Sequence, residues 1–371
     1  MALIYGNQNY DDNETGARSN LLSVIRMMPY MPVYDPTTNG GFRGVNSVLD
    51  GGDPTNPIEN ALLKNPGVRS NLRLLGTLYG NIHLTNWLTF TSIAGIDHNN
   101  RLAYRFSPIF NDNGSIAGSS AIIATITNNR TIYNSKLFTQ RLAFDKNFGL
   151  NHVNAIAVFE YQSANTINEN ASGNQSTNEI KVLNNATNIS VQTLRSEINI
   201  VSYLGRINYD YAGKYLLSAA LRRDGASYWA PGRKWQYFPS VSAGWRLDQE
   251  DFLKNNEKIS ELKLRAGYGV TGLNGEVLGA TPWLSGVSSK SAFYPFNNNL
   301  NSGPSSSINS IGNPNLEWET TKQVNVGLNL GLLKNKVTFV AEYYSRQTEN
   351  LILMVPLPPS MGYITSNVIT N

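Results

Sequence analysis

Residues 203–247 alternate between apolar and polar positions with a period of two, which is the spacing of β-strands with one apolar side. The pattern predicts three strands, joined by a very short turn at Ala212-Gly213 and by a polar loop from Asp224 to Gln236. The apolar sides carry Tyr203, Gly205, Ile207, Tyr209 and Tyr211, then Tyr215, Leu217, Ala219 and Leu221, then Val241, Ala243, Trp245 and Leu247.

The same alternation recurs before and after this stretch, which brings the prediction to about ten strands. The long polar stretches between strands are predicted to be loops: Asn99–Ser135, Ser163–Leu194 and residues 271–315, with a hairpin at the apolar patch Ala121–Ile126 in the first. The further strands are expected at Leu72–Leu84, Leu88–Ile96, Lys136–Asn147, Val153–Tyr161, Leu262–Val270, Trp318–Gly331 and Val337–Tyr343.

The N-terminal part differs from the remainder in its weak alternation. Residues 1–65 are predicted to be a large extracellular loop region, with a short helix within Arg18–Met28, where apolar residues recur at helical spacing. Residues 66–371 are predicted to be one continuous β-rich segment.

Two media explain the apolar strand sides: the core of a soluble sandwich, or the lipid around a transmembrane barrel. Short and long connections alternate along the whole chain, as in an up-and-down barrel with its turns on one side of the membrane. Aromatic residues gather at strand ends, where an aromatic girdle would lie: Tyr209, Tyr211, Tyr215, Tyr237 and Phe238. The two alternatives differ in the expected exposure of Leu217, Val241, Leu264, Val326 and Phe339.

Composition favours the barrel. Charged residues make up 15% of the 371 residues, below the ~25% of a typical soluble domain. The chain has 19 Tyr, no Cys and 3 His, and its net charge is +4 without any basic run. These numbers exclude a disulfide scaffold and give no support to a metal centre or to nucleic-acid binding.

Four segments carry a resemblance to a known family, and they follow one another in order: RINYDYAGKYLLSAALRRDGAS, KWQYFPSVSAGWRL, LKLRAGYGVTG and NPNLEWETTKQVNVGLNLGLL. They resemble the SusC/RagA family of TonB-dependent outer-membrane transporters of Bacteroidota. The match is close over residues 203–362 and looser upstream. The expected fold is therefore all-β, a portion of a large antiparallel transmembrane β-barrel.

The resemblance implies more than the fold. Members of the family have 22-stranded barrels with an N-terminal plug, lie in the outer membrane, and pair with a SusD-like surface lipoprotein. They import glycans, oligosaccharides or peptides with energy from the TonB–ExbB–ExbD complex, and no cofactor is expected. The chain has no recognisable signal peptide, TonB box, plug or final strand, so we expect it to be an internal segment of the barrel.

Five aromatic residues are candidates for ligand binding because aromatic rings stack on sugar rings. Tyr228 and Trp229 lie in a predicted extracellular loop, although their place inside a family motif equally suits a packing role. Trp283, Tyr294 and Phe296 lie in the longest loop and are candidates for contact with a ligand or with the SusD-like partner. At Arg222, Arg223 and Asp224 the alternatives are ligand contact and local ion pairing.

Enzymatic activity has no support in the sequence. It contains no P-loop, Rossmann fingerprint, G-x-S-x-G motif or zinc motif, so no catalytic or metal-binding residue is predicted. The alternative to a transporter segment is a surface glycan-binding protein or adhesin that does not transport.

Overall fold

A computed structural model of the protein describes most of the β-rich part of the chain. The described residues are 2–10, 24–25, 29–30, 32–36, 42–43, 56–58, 67–109, 123–254, 256, 258–273, 279, 281–293, 304–358, 360 and 367–371.

Strands dominate the described residues, with one turn of 3-10 helix at Leu247–Gln249. None of the helical segments in the described ranges has the length and apolar character that membrane crossing by a helix requires. In chain order the strands are β1 (Ala2–Tyr10), β2 (Gly67–Thr85), β3 (Leu88–Ser107), β4 (Ala124–Phe148), β5 (Asn151–Gln175), β6 (Thr187–Tyr211), β7 (Tyr215–Ala226), β8 (Trp235–Arg246), β9 (Ile259–Leu273), β10 (Gly286–Phe293), β11 (Pro304–Ser310), β12 (Glu319–Leu332), β13 (Val337–Glu349), β14 (Leu353–Pro356) and β15 (Asn367–Thr370).

Eleven of these strands form one antiparallel sheet. Its order follows the chain from β1 to β9 and continues with β12 and β13. β10 pairs with β11 and β14 pairs with β15 in separate two-stranded sheets. β1 and β13 are the edge strands of the sheet. The expected fold class, a portion of a large antiparallel barrel, is confirmed.

Several strands are much longer than the sequence predicts. β4, β5 and β6 have 25 residues each, and they extend into the polar stretches 99–135 and 163–194 that were predicted to be loops. Strand periodicity is a signal only where the two faces meet different media. Asn, Ser and Thr on both faces give no such signal, although the backbone ladder continues between them. The proposed hairpin at Ala121–Ile126 is also wrong where described, because Ala124 and Ile126 begin β4 and pack on Phe106.

The N-terminal residues also differ from the prediction. β1 lies within the segment predicted to be loop, and it pairs with β2 from Ala2 opposite Leu75 to Tyr10 opposite Gly67. Its residues alternate too briefly to reveal a strand by themselves, and pairing with the edge of β2 supplies the missing hydrogen bonds. Most of the predicted helix at Arg18–Met28 lies outside the described residues.

The short connections meet one another at one edge of the sheet. The amide of Ala212 donates to the carbonyl of Leu150 at 2.7 Å, and the amide of Arg246 donates to the carbonyl of Lys214 at 2.8 Å. Ala212 and Gly213 have φ of 55° and 69°, which is the left-handed backbone of a tight hairpin turn that matches the twist of the strands. The alternation of short and long connections therefore continues through the sheet.

Contacts divide the chain into two compact units. One comprises Met1–Gly76, Ile96–Asn134 and Asn165–Arg195, and its buried apolar cluster is formed by Phe106, Ala124 and Ile126. The other comprises Thr77–Gly95, Ser135–Ala164 and Ser196–Asn371. Its buried cluster is formed by Ala226, Tyr228, Trp229, Leu316 and Trp318, which we call the loop-base cluster.

Candidate functional site: the two faces of the sheet

One face of the sheet is apolar and open to the surroundings, and we call it the apolar face. The five residues chosen to separate the lipid and core alternatives all lie on it, at 41% to 56% exposure: Leu217, Val241, Leu264, Val326 and Phe339. A sandwich would bury these side chains under a second sheet. Their exposure contradicts that alternative for this sheet and matches a surface that faces lipid.

Two rows of aromatic residues bound the apolar face. In the first row Tyr211, Tyr215 and Trp245 are cross-strand neighbours, with ring centroids 6.2 and 6.3 Å apart. The second row pairs Tyr203 with Arg223 and Arg223 with Tyr237. Tyr203 to Tyr211 is a run of nine residues, and a tilted strand needs about 9–11 residues to cross a bilayer.

The second row contains more aromatic residues than the sequence analysis predicted. Phe159 lies 5.4 Å from Tyr203 and Trp235 lies 6.2 Å from Tyr203, centroid to centroid. Phe238 was predicted to belong to a girdle, but it lies on the opposite face and packs edge-on against Trp318. The error arises because neighbouring strand residues point to opposite faces, so Tyr237 and Phe238 cannot share a row.

The opposite, polar face carries small and amide side chains in register. Asn208, Ser218, Ser242, Gly267 and Asn325 lie opposite one another on five successive strands of the sheet. The hydroxyl of Ser218 donates to the side-chain oxygen of Asn208 at 2.7 Å. The row lines a groove of about 590 Å³, and its side chains offer hydrogen bonds to water or to a polar ligand.

An ion pair crosses this face over a glycine. Arg265 on β9, Gly327 on β12 and Glu342 on β13 form one row, and the Arg265 guanidinium bonds both Glu342 carboxylate oxygens at 3.2 and 3.0 Å. A Cβ on Gly327 would lie 2.7 Å from Arg265 Nε. Glycine leaves the space for this crossing, and any larger residue would require the Arg265 side chain to move. The sequence analysis missed the ion pair, although a glycine inside a strand signals a close approach.

A second charged group lies towards the long connections. Arg222 Nε donates to both oxygens of Asp224 at 2.8 Å, and Arg222 Nη2 donates to Ser202 Oγ at 2.9 Å. Glu160 Oε1 lies 3.8 Å from the same guanidinium. Ligand contact and local ion pairing were the two alternatives at this position. The described contacts of Arg222 and Asp224 are those of a local ion pair. Arg223 points to the apolar face.

Tyr228 and Trp229 lie in the loop-base cluster, and both are fully buried. Trp229 lies 5.4 Å from both Tyr228 and Trp318, centroid to centroid. The cluster holds the loop between β7 and β8 against the segment before β12, where Arg233 and Glu317 form an ion pair. No ring face of either residue is open to a ligand in this arrangement, so the geometry is that of packing. Ligand binding by the two residues stays a prediction.

The remaining ligand candidates lie between β9 and β11. Trp283 is half-buried, and its indole Nε1 is buried without an acceptor among the described residues. Tyr294 and Phe296 lie outside the described residues. The structure therefore brings Tyr228 and Trp229 together in the loop-base cluster, of which Trp283 is not a member.

Glu250 is the central charged group at the edge of the sheet where the short turns lie, which we call the short-turn edge. Its carboxylate accepts hydrogen bonds from the Tyr215 hydroxyl at 2.7 Å, from Trp245 Nε1 at 3.0 Å and from Lys214 Nζ at 3.1 Å. These donors, led by Tyr215, lower the pKa of Glu250, and the bond to Glu250 raises the pKa of Lys214. Glu250 therefore anchors two aromatic residues of the first row while it stays ionised.

Metal binding has no evident site on either face. Within the ranges that the structure describes, no three His, Asp or Glu side chains lie close enough together to hold an ion.

Comparison with protein families identifies the chain. The family model described as "TonB dependent receptor-like, beta-barrel" matches residues 6–371. The chain belongs to this family. Its members are receptors and transporters, so the resemblance found in the sequence is confirmed, including its β-barrel.

Curated relatives agree with this assignment. TonB-dependent receptor P26 of Formosa agariphila is 28% identical over 96% of this chain and 35% of its own length. TonB-dependent receptor SusC of Bacteroides thetaiotaomicron is 36% identical over 46% of this chain and 17% of its own length. The chain thus spans about a third of the relatives that it matches along most of its length.

Solved structures share the fold. The RagAB peptide transporter superposes with a TM-score of 0.72 at 21% identity, over 86% of this chain and 34% of the transporter chain. At this identity the likeness is evidence of the fold alone.

Proposed function

We propose that this chain forms part of the barrel wall of a TonB-dependent importer in the outer membrane of a Gram-negative bacterium. The observation that carries the proposal is the contrast between the faces: an exposed apolar face between two aromatic rows, and a polar face behind it. In an outer-membrane barrel the first contacts lipid and the second lines an aqueous interior.

The polar face supports a role in passage of a hydrophilic nutrient. Amide, hydroxyl and paired charged groups line grooves of about 590 and 570 Å³, the second bounded by Arg222, Asp224 and Trp318. We propose a glycan, an oligosaccharide or a peptide as the nutrient. One structural neighbour transports peptides, and the SusC relative supports pairing with a SusD-like surface lipoprotein. Energy would come from TonB–ExbB–ExbD.

Ligand contact is proposed for the long-connection side of the protein. Trp283 is the described candidate whose side chain is not fully buried, and Tyr294 and Phe296 follow in the same connection. Tyr228 and Trp229 would hold the loops of such a site in place through the loop-base cluster.

The test is uptake by cells. A strain that lacks the gene is compared with one that expresses the full-length protein, using fluorescent oligosaccharides and fluorescent peptides in separate assays. We expect uptake of one class, lost on deletion of tonB, and co-purification of a surface lipoprotein with the barrel. Uptake that is independent of both the gene and tonB would contradict the proposal.

The alternative is a surface glycan-binding protein or adhesin. It would bind glycan on whole cells as strongly without TonB, and no label would enter the periplasm. Fractionation of the labelled cells therefore separates the two functions.

A further inference from the structure

One arginine lies on the apolar face, among side chains that would contact lipid. Arg223 belongs to the second aromatic row, and its guanidinium carbon lies 4.3 Å from the Trp235 ring centroid and 5.3 Å from that of Tyr237. Its chain neighbour Arg222 points to the polar face and has Asp224 as a partner. The Arg-Arg pair thus places one cation on each face of β7.

Arg223 has no anionic partner within the described part of the chain. Its guanidinium lies over two aromatic rings, and its Nε is buried without an acceptor. A guanidinium that is partly removed from water is stabilised by a counter-charge and by acceptors, since burying an unpaired ion is costly. The two rings satisfy the cation in part, and the donors of its two terminal Nη groups have no partner among the described residues.

A groove runs along the apolar face from Arg223. It has a volume of about 720 Å³, and Leu142, Phe159, Gly205 and Leu221 are among the residues that line it. Gly205 forms part of its floor, and a Cβ there would meet no atom within 4 Å. The groove is therefore apolar, elongated across the strands and open, with a cation at one end.

We propose that this groove binds an acyl chain of an anionic phospholipid and that Arg223 binds the phosphate of its headgroup, whose charge no choline or amine offsets. The position of Arg223 in an aromatic row supports a lipid rather than a soluble anion, because such rows lie at headgroup depth. Guanidinium groups pair with phosphate through parallel hydrogen bonds. The inference rests on the proposed membrane placement and not on the nutrient that is transported.

The experiment measures lipid binding by native mass spectrometry of the full-length protein released from detergent. The probes are dimyristoyl phosphatidylglycerol, which is anionic, and dimyristoyl phosphatidylcholine, which has the same chains and no net charge. Arg223→Gln removes the cation, and Gly205→Phe fills the groove. Matched controls are Arg206→Gln, an exposed arginine on the polar face, and Gly80→Phe, a strand glycine that also has open space around its Cβ.

We expect the wild-type protein to retain phosphatidylglycerol over phosphatidylcholine. Arg223→Gln should weaken phosphatidylglycerol binding by about tenfold, the effect of one lost charge-assisted contact. Gly205→Phe should weaken it by a similar factor of about ten, because the new ring would occupy the space of the acyl chain. Both controls should bind as the wild type does. Melting temperatures in phosphatidylcholine nanodiscs verify that every variant is folded.

Three results would overturn the inference: unchanged phosphatidylglycerol binding in Arg223→Gln, equal retention of both lipids by the wild type, or displacement of the lipid by millimolar inorganic phosphate. The last would identify a site for a free anion. The proposed function is assayed separately, since Arg223→Gln cells should still take up the nutrient. Absence of uptake in wild-type cells, with the expected lipid binding, would count against the transport proposal alone.

Discussion

At the scale of single residues, the contacts on the polar face depend on glycines, whose lack of a side chain leaves room for neighbouring polar groups. Gly327 lets Arg265 reach across β12 to Glu342, and Gly267 leaves room for Asn325, whose side-chain oxygen would lie 2.6 Å from a Cβ there. Asn325 Nδ2 also donates to Glu342 at 3.3 Å. Polar groups that span two strands connect β9, β12 and β13 beyond the backbone ladder.

Gly327→Ala tests whether the Arg265–Glu342 ion pair needs the space above Gly327. The new methyl group would displace Arg265, and we expect a loss of about 1–2 kcal/mol in unfolding free energy, since the ion pair is partly exposed and repacking adds strain. Urea denaturation in detergent measures the loss. Gly205→Ala, in open space on the other face, is the control and should be neutral. In an Arg265→Ala background, Gly327→Ala should cost nothing further, and an additive loss would disprove the explanation.

Glu250 makes the short-turn edge sensitive to acid. Its pKa is lowered in the folded protein, first by the bond from Tyr215 and then by those from Trp245 and Lys214. The stabilisation is therefore present above the ordinary pKa of Glu, and it is lost as pH falls through the lower folded value. Glu250→Gln should reduce stability at pH 7 and flatten the fall in stability on acidification. Denaturation midpoints from pH 7 to pH 3 measure this, and parallel curves for the two proteins would contradict it.

Trp229 and Trp283 are expected to differ when each is replaced by Ala. Trp229 is fully buried, so Trp229→Ala should cost about 3–5 kcal/mol through the cavity that it leaves. Trp283→Ala should change stability far less and reduce nutrient uptake. Thermal unfolding and the uptake assay, both with full-length protein, distinguish the roles. Equal destabilisation by the two substitutions would remove Trp283 from the ligand candidates.

At the scale of elements, the sequence predicts a strand well where its faces meet different media. The centres of β6, β7 and β8 alternate clearly and lie where the pattern places them. The polar parts of β3 to β6 were missed because Asn, Ser and Thr occupy both faces. The sequence could not decide whether Tyr228 and Trp229 are buried. Their partners Leu316 and Trp318 come from a segment about 90 residues later, and sequence spacing does not predict that contact.

Adjacent residues of β8 test the difference between the faces. Val241 lies midway between the two aromatic rows, and Ser242 points the other way. Val241→Arg should destabilise the barrel by about 2–4 kcal/mol, the cost of a cation at the bilayer midplane. Ser242→Arg should change stability by less than about 0.5 kcal/mol. Urea unfolding in liposomes gives both values, and similar costs at the two positions would contradict the assignment of the faces.

At the scale of the whole molecule, the contrast between the apolar face and the polar face underlies both the family resemblance and the fold. The four family segments lie in the strands that build the two faces, which is why the resemblance could be found without a structure. The nutrient could not be predicted, because the aromatic candidates lie in connections where the sequence carries no periodic signal. The lipid groove was also hidden, since β3 to β8 all contribute to it.

The most direct test of the account is a cysteine scan of β7 in cells that express the full-length protein. The chain has no cysteine of its own, so each introduced thiol within it reports on one position. Cysteines at Leu217, Ala219 and Leu221 should resist a charged, membrane-impermeant maleimide, and a bimane label there should be quenched by brominated lipid. Cysteines at Leu216, Ser218 and Ala220 should react with the maleimide and escape quenching. Equal behaviour of the two sets, or the reverse pattern, would contradict a lipid-facing apolar face and a water-facing polar face.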